Sequence, residues 1–192
     1  EEIRRVEVIH EDVLRQPRRR FAHRVGHRTV EAVDRRGKNV LLRLDSGDRV
    51  AVNLGMTGRL LPFSEPPRGE GRPTHPAVRF RFRSGGVLVY DDVRRFGTLE
   101  CLGPEEWAER DAEMGPEPLS DDFTAERLHG DLSRSRSPLR SWLLDQRRIA
   151  GVGNIYANEA AHQAGVHPRR PARSVTTDEA EALHRALRRI LA

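Results

Sequence analysis

The sequence has a single lysine and a single cysteine, and each scarcity limits the chemistry available to the chain. Of its 34 lysine and arginine residues, only Lys38 is a lysine. An ammonium can lose its proton and act as an acid, a base or a nucleophile, whereas a guanidinium keeps its proton. Lys38 is therefore a candidate catalytic residue, although composition alone favours a lysine that is present by chance, with its ammonium group in water. Cys101, the one cysteine, allows neither an intrachain disulfide nor a cysteine-rich zinc site.

Long apolar runs are also absent. No stretch approaches the length of a membrane span, and the opening residues EEIRRVEVIHEDVLR do not have the pattern of a signal peptide. With so little cysteine, this predicts a reducing, cytoplasmic setting without a membrane partner. The sequence starts without methionine and stops inside the helical pattern ALRRILA, so we expect a fragment of a longer protein.

Positive charge is in excess. The net charge is +5 and the isoelectric point is about 10.4. A basic, arginine-rich surface suggests a polyanionic partner, most often nucleic acid. A solvated surface without a partner has the same composition, so charge leaves both interpretations open.

The first half of the sequence has the short alternating runs of β-strands. NVLLRL and RVAVNL flank a turn with Gly47, and AVRFRFR and VLVY flank a second turn with Gly85 and Gly86, so two hairpins are predicted. The second hairpin alternates apolar residues with arginines, and a solvated arginine face is the simplest interpretation. Between the hairpins, LPFSEPPRGEGRPTHP predicts an exposed loop, and GPEEWAERDAEMGPEPL predicts the passage to a second domain.

The second half has helical periodicity and predicts four helices. Ser120 is the expected N-cap of the first helix, and Pro138 is the expected first residue of the second. The third follows GVGN and ends at Gly165, and the fourth opens with a capping box from Thr176 to Glu179. These patterns predict a β-rich domain followed by helices.

The stretch IAGVGNIYANEA brings two glycines directly to a helix N-terminus. Free amide groups and the positive end of the helix dipole make such a terminus a phosphate site, and Asn154 adds a side-chain donor. A tight turn between helices would need the same glycines, so this motif is weak evidence when taken alone.

Six motifs occur in one order along the chain and carry a much more specific signal. In sequence order they are RRGKNVLLRL, VNLGMTGRLL, DDVRRFG, MGPEPLSDDF, LLDQRRIAGVGNIYANEA and AGVHP. Together they resemble the formamidopyrimidine-DNA glycosylases, the family that also includes the endonuclease VIII type. GPEPLSDDF and DDVRRFG are more similar to the formamidopyrimidine branch.

The resemblance implies an α+β architecture in two domains. An N-terminal β-sandwich domain, lacking its first segment, is expected over residues 1–112, and an all-α helix-two-turn-helix DNA-binding domain over residues 113–192. The implied activity is base-excision repair, in which a glycosylase and abasic-site lyase removes oxidised purines and nicks the DNA by β- and δ-elimination. The implied partner is duplex DNA with oxidised bases or abasic sites, bound across the cleft by a monomer of the bacterial cytoplasm and nucleoid.

The resemblance also assigns roles to particular residues. Lys38 matches the catalytic lysine, a proton donor for β-elimination. Met56, Arg94 and Phe96 match three residues that fill the void left by a flipped base, and we call them the void-filling residues. Without the motif, Met56 and Phe96 would be assigned to the core. The matched DNA contacts are His75, Arg94 and Asn154.

A further DNA contact is implied near the start of the second domain. Ser135 stands where family members have a lysine that touches DNA, and Arg134 and Arg136 could supply the missing charge. A solvated RSRS turn without a DNA contact would have the same sequence.

The chain departs from the family pattern at several positions. It lacks the N-terminal proline amine that attacks the sugar, the adjacent glutamate, and the four-cysteine zinc finger, so we expect no cofactor, no metal ligand and no base removal by these residues alone. Asn53 and Ala77 stand where the family usually has histidine, which leaves the lesion preference open.

Three alternative functions remain: an endonuclease VIII-like glycosylase for oxidised pyrimidines, a non-catalytic relative that binds damaged DNA, and a helix-two-turn-helix RNA binder. The void-filling residues and Lys38 argue against the RNA binder.

Overall fold

A computed structural model describes residues 1–69 and 71–192 of the protein. The chain divides into two compact units, Glu1–Glu109 and Arg110–Ala192. The first unit contains two antiparallel sheets and the second is mainly helical, so the predicted α+β class is confirmed. The domain boundary after residue 112 stays a prediction.

The described part of the first unit has eight strands in two four-stranded sheets. One sheet has the order β1-β6-β7-β5 and the other the order β2-β3-β4-β8, with antiparallel neighbours throughout. The strands are β1 (Ile3–Val8), β2 (Val30–Arg36), β3 (Asn39–Leu44), β4 (Arg49–Asn53), β5 (Arg59–Phe63), β6 (Pro76–Phe82), β7 (Val87–Asp91) and β8 (Thr98–Leu102).

The two sheets share one hydrophobic core, because each contributes its inward-facing residues to the same cluster. Val52 and Leu99 come from one sheet, and Val78 and Phe80 from the other. The predicted arginine face of β6 lies opposite this core, where the Arg81 Nε donates to Glu7 of β1 over 2.6 Å. Alternation with a period of two therefore directs the packing here, as expected for half-buried strands.

Two helices were not predicted, one inside the first unit and one across the boundary between the units. Helix α1 (Arg18–Val25) has basic residues at five of its eight positions and buries only Phe21 and Val25, so it gives little periodic signal. Helix α2 (Pro104–Ala112) lies where a connecting passage was expected. The predicted loop after the first hairpin also begins later than expected, because strand β5 continues to Phe63.

The second unit contains the four predicted helices, α3 (Ala125–Ser133), α4 (Leu139–Leu144), α5 (Asn154–Gln163) and α6 (Thr177–Leu191). The prediction of Ser120 as an N-cap is wrong. Thr124 caps α3 by accepting from the Arg127 amide over 3.2 Å, whereas the Ser120 hydroxyl donates to the Glu117 carbonyl.

Two other helix-end predictions came closer. Pro138 lies one residue before α4 and is its N-cap. The capping box between Thr176 and Glu179 at the start of α6 is confirmed. The four helices pack around one cluster that includes Trp142 and Leu183. Among the helices in the described residues, none has both the length and the hydropathy needed to cross a membrane.

Candidate functional site

Strand register brings three connections of the first unit to one end of a sheet. Asn39 of β3 pairs with Asn53 of β4, and Asn53 pairs with Thr98 of β8. Lys38 directly precedes Asn39, the β4–β5 loop (54–58) follows Asn53, and the β7–β8 loop (92–97) ends just before Thr98. Three of the motifs that lie far apart in sequence are therefore adjacent in space.

The other sheet brings His75 to the same connections. His75 precedes Pro76 of β6, which pairs with Asp91 of β7, and Asp91 in turn pairs with Arg59 at the start of β5. The His75 amide donates to the Asp91 carboxylate over 2.7 Å, and its side chain is exposed. The loops 54–58 and 92–97 run between the two sheets, so all these residues share one end of the first unit.

The void-filling residues form one exposed cluster on these two loops. The guanidinium carbon of Arg94 lies 4.4 Å from the centre of the Phe96 ring, and Arg94 Nη1 lies 3.5 Å from Met56 Sδ. Met56 is 71% exposed and Phe96 is 59% exposed, so the core placement considered for them is excluded. Two large exposed apolar side chains therefore contact one guanidinium, and such a grouping is a candidate binding surface.

The two loops pack backbone to backbone, which explains the glycines of LGMTG and RRFG. Gly55 has a φ of +58°, and a Cβ there would lie 2.7 Å from the Gly97 amide nitrogen. A Cβ on Gly97 would overlap the Tyr90 hydroxyl and lie 2.5 Å from the Asn53 carbonyl oxygen. Any side chain at these positions would push the loops apart.

A buried carboxylate that the sequence reasoning did not single out lies beneath both loops. Asp92 is 1% exposed and accepts four hydrogen bonds. Its Oδ1 accepts from Thr57 Oγ1 at 2.5 Å and from the Arg94 amide at 3.2 Å. Its Oδ2 accepts from the Tyr90 hydroxyl at 2.9 Å and from the Gly97 amide at 3.0 Å. Burial alone would raise the pKa of Asp92, but these hydrogen bonds outweigh it and lower the pKa below its usual value.

Lys38 is the second residue of the tight β2–β3 turn and follows Gly37, which has a φ of +56°. Its side chain is exposed, yet neighbouring protein removes part of its hydration, and this desolvation lowers the pKa of the ammonium. A lowered pKa makes proton transfer easier than for an ordinary lysine. Cys101, the other singular residue, is buried, and burial raises the pKa of its thiol to about 12, which leaves it unreactive.

In the second unit, Asn154 is the first residue of α5 and is exposed. Its side-chain oxygen accepts from Arg140 Nε at 3.2 Å and Nη2 at 2.6 Å. By helix geometry, the amides of the first turn have no intrahelical acceptor. Arg140 therefore adds a cation to this terminus, and nothing in its local sequence indicated the pairing.

The assignment of Ser135 does not suit its position. Ser135 is 5% exposed, and its hydroxyl accepts from the Ser137 amide, so its side chain offers little surface to a ligand. Arg134 and Arg136, on either side of it, are exposed. These arginines are the better candidates for a phosphate contact. Within residues 1–69 and 71–192, no three His, Cys, Asp or Glu residues are grouped to hold a metal ion.

Family models match both units. The model of the formamidopyrimidine-DNA glycosylase N-terminal domain matches residues 1–99, and the model of the H2TH domain of the same enzymes matches residues 114–192.

Individual relatives extend this likeness over nearly the whole chain. The formamidopyrimidine-DNA glycosylase of Chloroflexus aggregans is 44% identical over 180 residues, which cover 94% of this chain and 64% of the relative. The Escherichia coli O1:K1 protein of the same name is 38% identical over 96% of this chain and 67% of its own length. The chain spans between 60% and 66% of the relatives from two Chloroflexus species and Thermomicrobium roseum.

Solved structures show the same similarity. The Lactococcus lactis formamidopyrimidine-DNA glycosylase, bound to DNA containing an abasic site, matches 99% of this chain with a TM-score of 0.88 and 26% identity, over 72% of its own length. The MutM (Fpg) protein of Thermus thermophilus matches 99% of this chain with a TM-score of 0.83 and 36% identity, over 67% of its own length.

Proposed function

The chain belongs to the formamidopyrimidine-DNA glycosylase family, and from this membership we propose that the protein is a base-excision repair enzyme. Its substrates are duplex DNAs with oxidised purines, namely formamidopyrimidines and 8-oxoguanine. It removes the damaged base and then nicks the abasic site by β- and δ-elimination. The related Lactococcus lactis enzyme has been crystallised with DNA containing a formamidopyrimidine deoxyguanosine, which supports this substrate class.

The exposed cluster of Met56, Arg94 and Phe96 is the observation that carries this proposal. An enzyme that acts on a base inside a duplex must extrude the nucleotide and offset the cost of unstacking. Apolar side chains inserted between bases fill the vacated space, and an arginine can read the base left without its partner. A core or a simple basic patch would not need this combination on the surface.

Lys38 supplies the proton chemistry near the same end of the first unit. A lysine ammonium can neutralise a phosphate and also donate a proton during β-elimination. Partial desolvation lowers its pKa, which suits a group that must release and regain a proton. The amine that attacks the sugar is not assigned to any described residue, because the family uses an N-terminal proline for that step.

The second unit contributes phosphate contacts that carry no sequence information. Asn154 and Arg140 lie at the N-terminus of α5, where amides and the helix dipole favour an anion. Arg134 and Arg136 provide further exposed charge. We assign no cofactor to these residues, and we place the protein as a monomer on the chromosome in the bacterial cytoplasm.

The test uses the product of the complete reading frame and a duplex with one 8-oxoguanine or formamidopyrimidine. We expect release of the free base, cleavage of the damaged strand and a covalent protein–DNA adduct that borohydride traps. Release of oxidised pyrimidines in preference to purines would favour the endonuclease VIII-like alternative. Tight binding to abasic DNA without base release or adduct would favour the non-catalytic binder.

A further inference from the structure

The void-filling residues lie on two separate loops, and their relative position depends on what joins those loops. Thr57 is adjacent to Met56 on the β4–β5 loop, and Gly97 is adjacent to Phe96 on the β7–β8 loop. Asp92 binds the Thr57 hydroxyl, the Gly97 amide and the amide of Arg94 itself. Each void-filling residue is therefore either bound by Asp92 or next to a group that Asp92 binds.

The arrangement of donors requires a carboxylate. The Thr57 hydroxyl and the Arg94 amide converge on Oδ1, while the Tyr90 hydroxyl and the Gly97 amide converge on Oδ2. An asparagine has one acceptor oxygen and one donor nitrogen. In either orientation its NH₂ group would face one backbone amide, which can only donate, so that amide would lose its acceptor. The hydroxyl on the same side would have to turn round and accept instead of donating. Because Asp92 is buried, the stranded amide cannot turn to water without disturbing the loops.

We propose that Asp92 is a positioning residue that sets the separation of Met56 from Arg94 and Phe96, and thereby the preference of the protein for DNA with a vacated base position. This role rests on the proposed function, since the separation matters only if these side chains enter a duplex. Asp92 does not touch the DNA in this role. It acts through the loop backbone and through Thr57, whose hydroxyl also lies 3.3 Å from the Arg94 amide.

The experiment measures the affinity of the 192-residue chain for two otherwise identical duplexes, one intact and one with a tetrahydrofuran abasic-site analogue. We expect Asp92→Asn to reduce the preference for the abasic duplex by about tenfold, which corresponds to about 1.4 kcal/mol, while affinity for the intact duplex changes little. Asp48→Asn is the matched control. Asp48 is a half-buried carboxylate that binds Arg24 and none of the void-filling loops, so the preference should be kept.

A double-mutant cycle with Phe96→Ala separates positioning from general destabilisation. If Asp92 acts by placing Phe96 and its neighbours, Asp92→Asn should change the preference much less once Phe96 is already alanine. Equal effects in both backgrounds would show a merely structural role and overturn the proposal. Tyr90→Phe removes one donor and keeps the ring, so it should give a smaller loss in the same direction even if Asp92→Asn folds poorly.

The possible outcomes distinguish a failure of the role of Asp92 from a failure of the proposed function. A preference for the abasic duplex that Asp92→Asn retains would overturn the role of Asp92 and leave the proposed function intact. No preference for the abasic duplex in the unsubstituted chain would overturn the role of Asp92, whereas the proposed function is overturned separately, if the product of the complete reading frame neither releases an oxidised purine nor forms the adduct.

Discussion

At the scale of single residues, Lys38 offers the most specific test, because it is the one lysine among 34 lysine and arginine residues. In the product of the complete reading frame, we expect Lys38→Arg to bind duplex DNA nearly as well as the unsubstituted enzyme and to turn over poorly. A guanidinium keeps the charge for a phosphate but does not release its proton near neutral pH. Single-turnover strand cleavage and equilibrium binding are the two measurements. Normal cleavage by Lys38→Arg would show that the single lysine is an accident of composition.

Phe96 provides a test of insertion into the duplex. Its ring is 59% exposed and lies under Arg94, so Phe96→Ala should leave the fold intact. We expect it to weaken binding to abasic DNA more than binding to intact DNA, since the ring is useful only where a base step is open. Asn154→Ala is the contrasting variant, because the loss of a phosphate contact should weaken binding to the abasic and the intact duplex equally. Equal losses for Phe96→Ala would remove the insertion role.

At the scale of structural elements, the close contact between the β4–β5 and β7–β8 loops predicts that glycine is required at position 97. We expect Gly97→Ala to lower the free energy of unfolding by about 1–3 kcal/mol, the usual cost of overpacking, because its Cβ would meet the Tyr90 hydroxyl and the Asn53 carbonyl. Gly130→Ala is the matched control. Nothing lies within 4 Å of a Cβ there, and Gly130 is inside helix α3. Alanine should stabilise that helix by up to about 1 kcal/mol, and denaturant unfolding measures both changes.

The start of α6 predicts a dependence on pH. Hydrogen bonds from Arg170, then from the Thr176 amide, lower the pKa of Glu179. A carboxyl with a lowered pKa in the folded state contributes stability above its unfolded value of about 4.3 and loses it as the pH falls below that value. Glu179→Gln should therefore cost about 1 kcal/mol at pH 7 and progressively less as the pH falls through the lowered pKa of the folded state, below which the carboxyl is protonated in both states. Glu181→Gln on the same helix, with an exposed partner in Arg185, should have little effect across the same pH range.

Sequence periodicity predicted most of these elements but not the contacts between them. The hairpins and α6 have strong local patterns, whereas α1 buries only two apolar residues and gave none. The motifs identified the void-filling residues, but only strand register shows that Lys38 and Phe96 share one end of the sheet. The four hydrogen bonds of Asp92 depend on tertiary packing, so no spacing in the sequence could indicate them.

At the scale of the whole molecule, the two units expose different kinds of chemical group. The first presents apolar side chains and one titratable lysine from the loops of its sheets, and under the proposed function these groups act at the damaged nucleotide. The second presents a helix terminus and exposed arginines, to which the proposed function assigns the phosphate contacts. Affinity from phosphate contacts and discrimination from base contacts are separable properties of DNA-binding proteins. Substitutions in the two units should therefore change different measurements.

The net charge of +5 leads to a final prediction about salt. Each phosphate neutralised on duplex DNA releases counterions, so the logarithm of the affinity should fall by about 0.9 per contact for each tenfold rise in salt. If Arg134 and Arg136 both contact phosphates, replacing each with alanine should reduce that slope by about 0.9. Arg185→Ala is the control, because Arg185 is exposed on α6 beside Glu181 and has no assigned DNA contact. An unchanged slope for both test variants would show that the phosphate contacts lie outside the RSRS turn. An affinity that does not depend on salt would exclude binding through phosphates altogether.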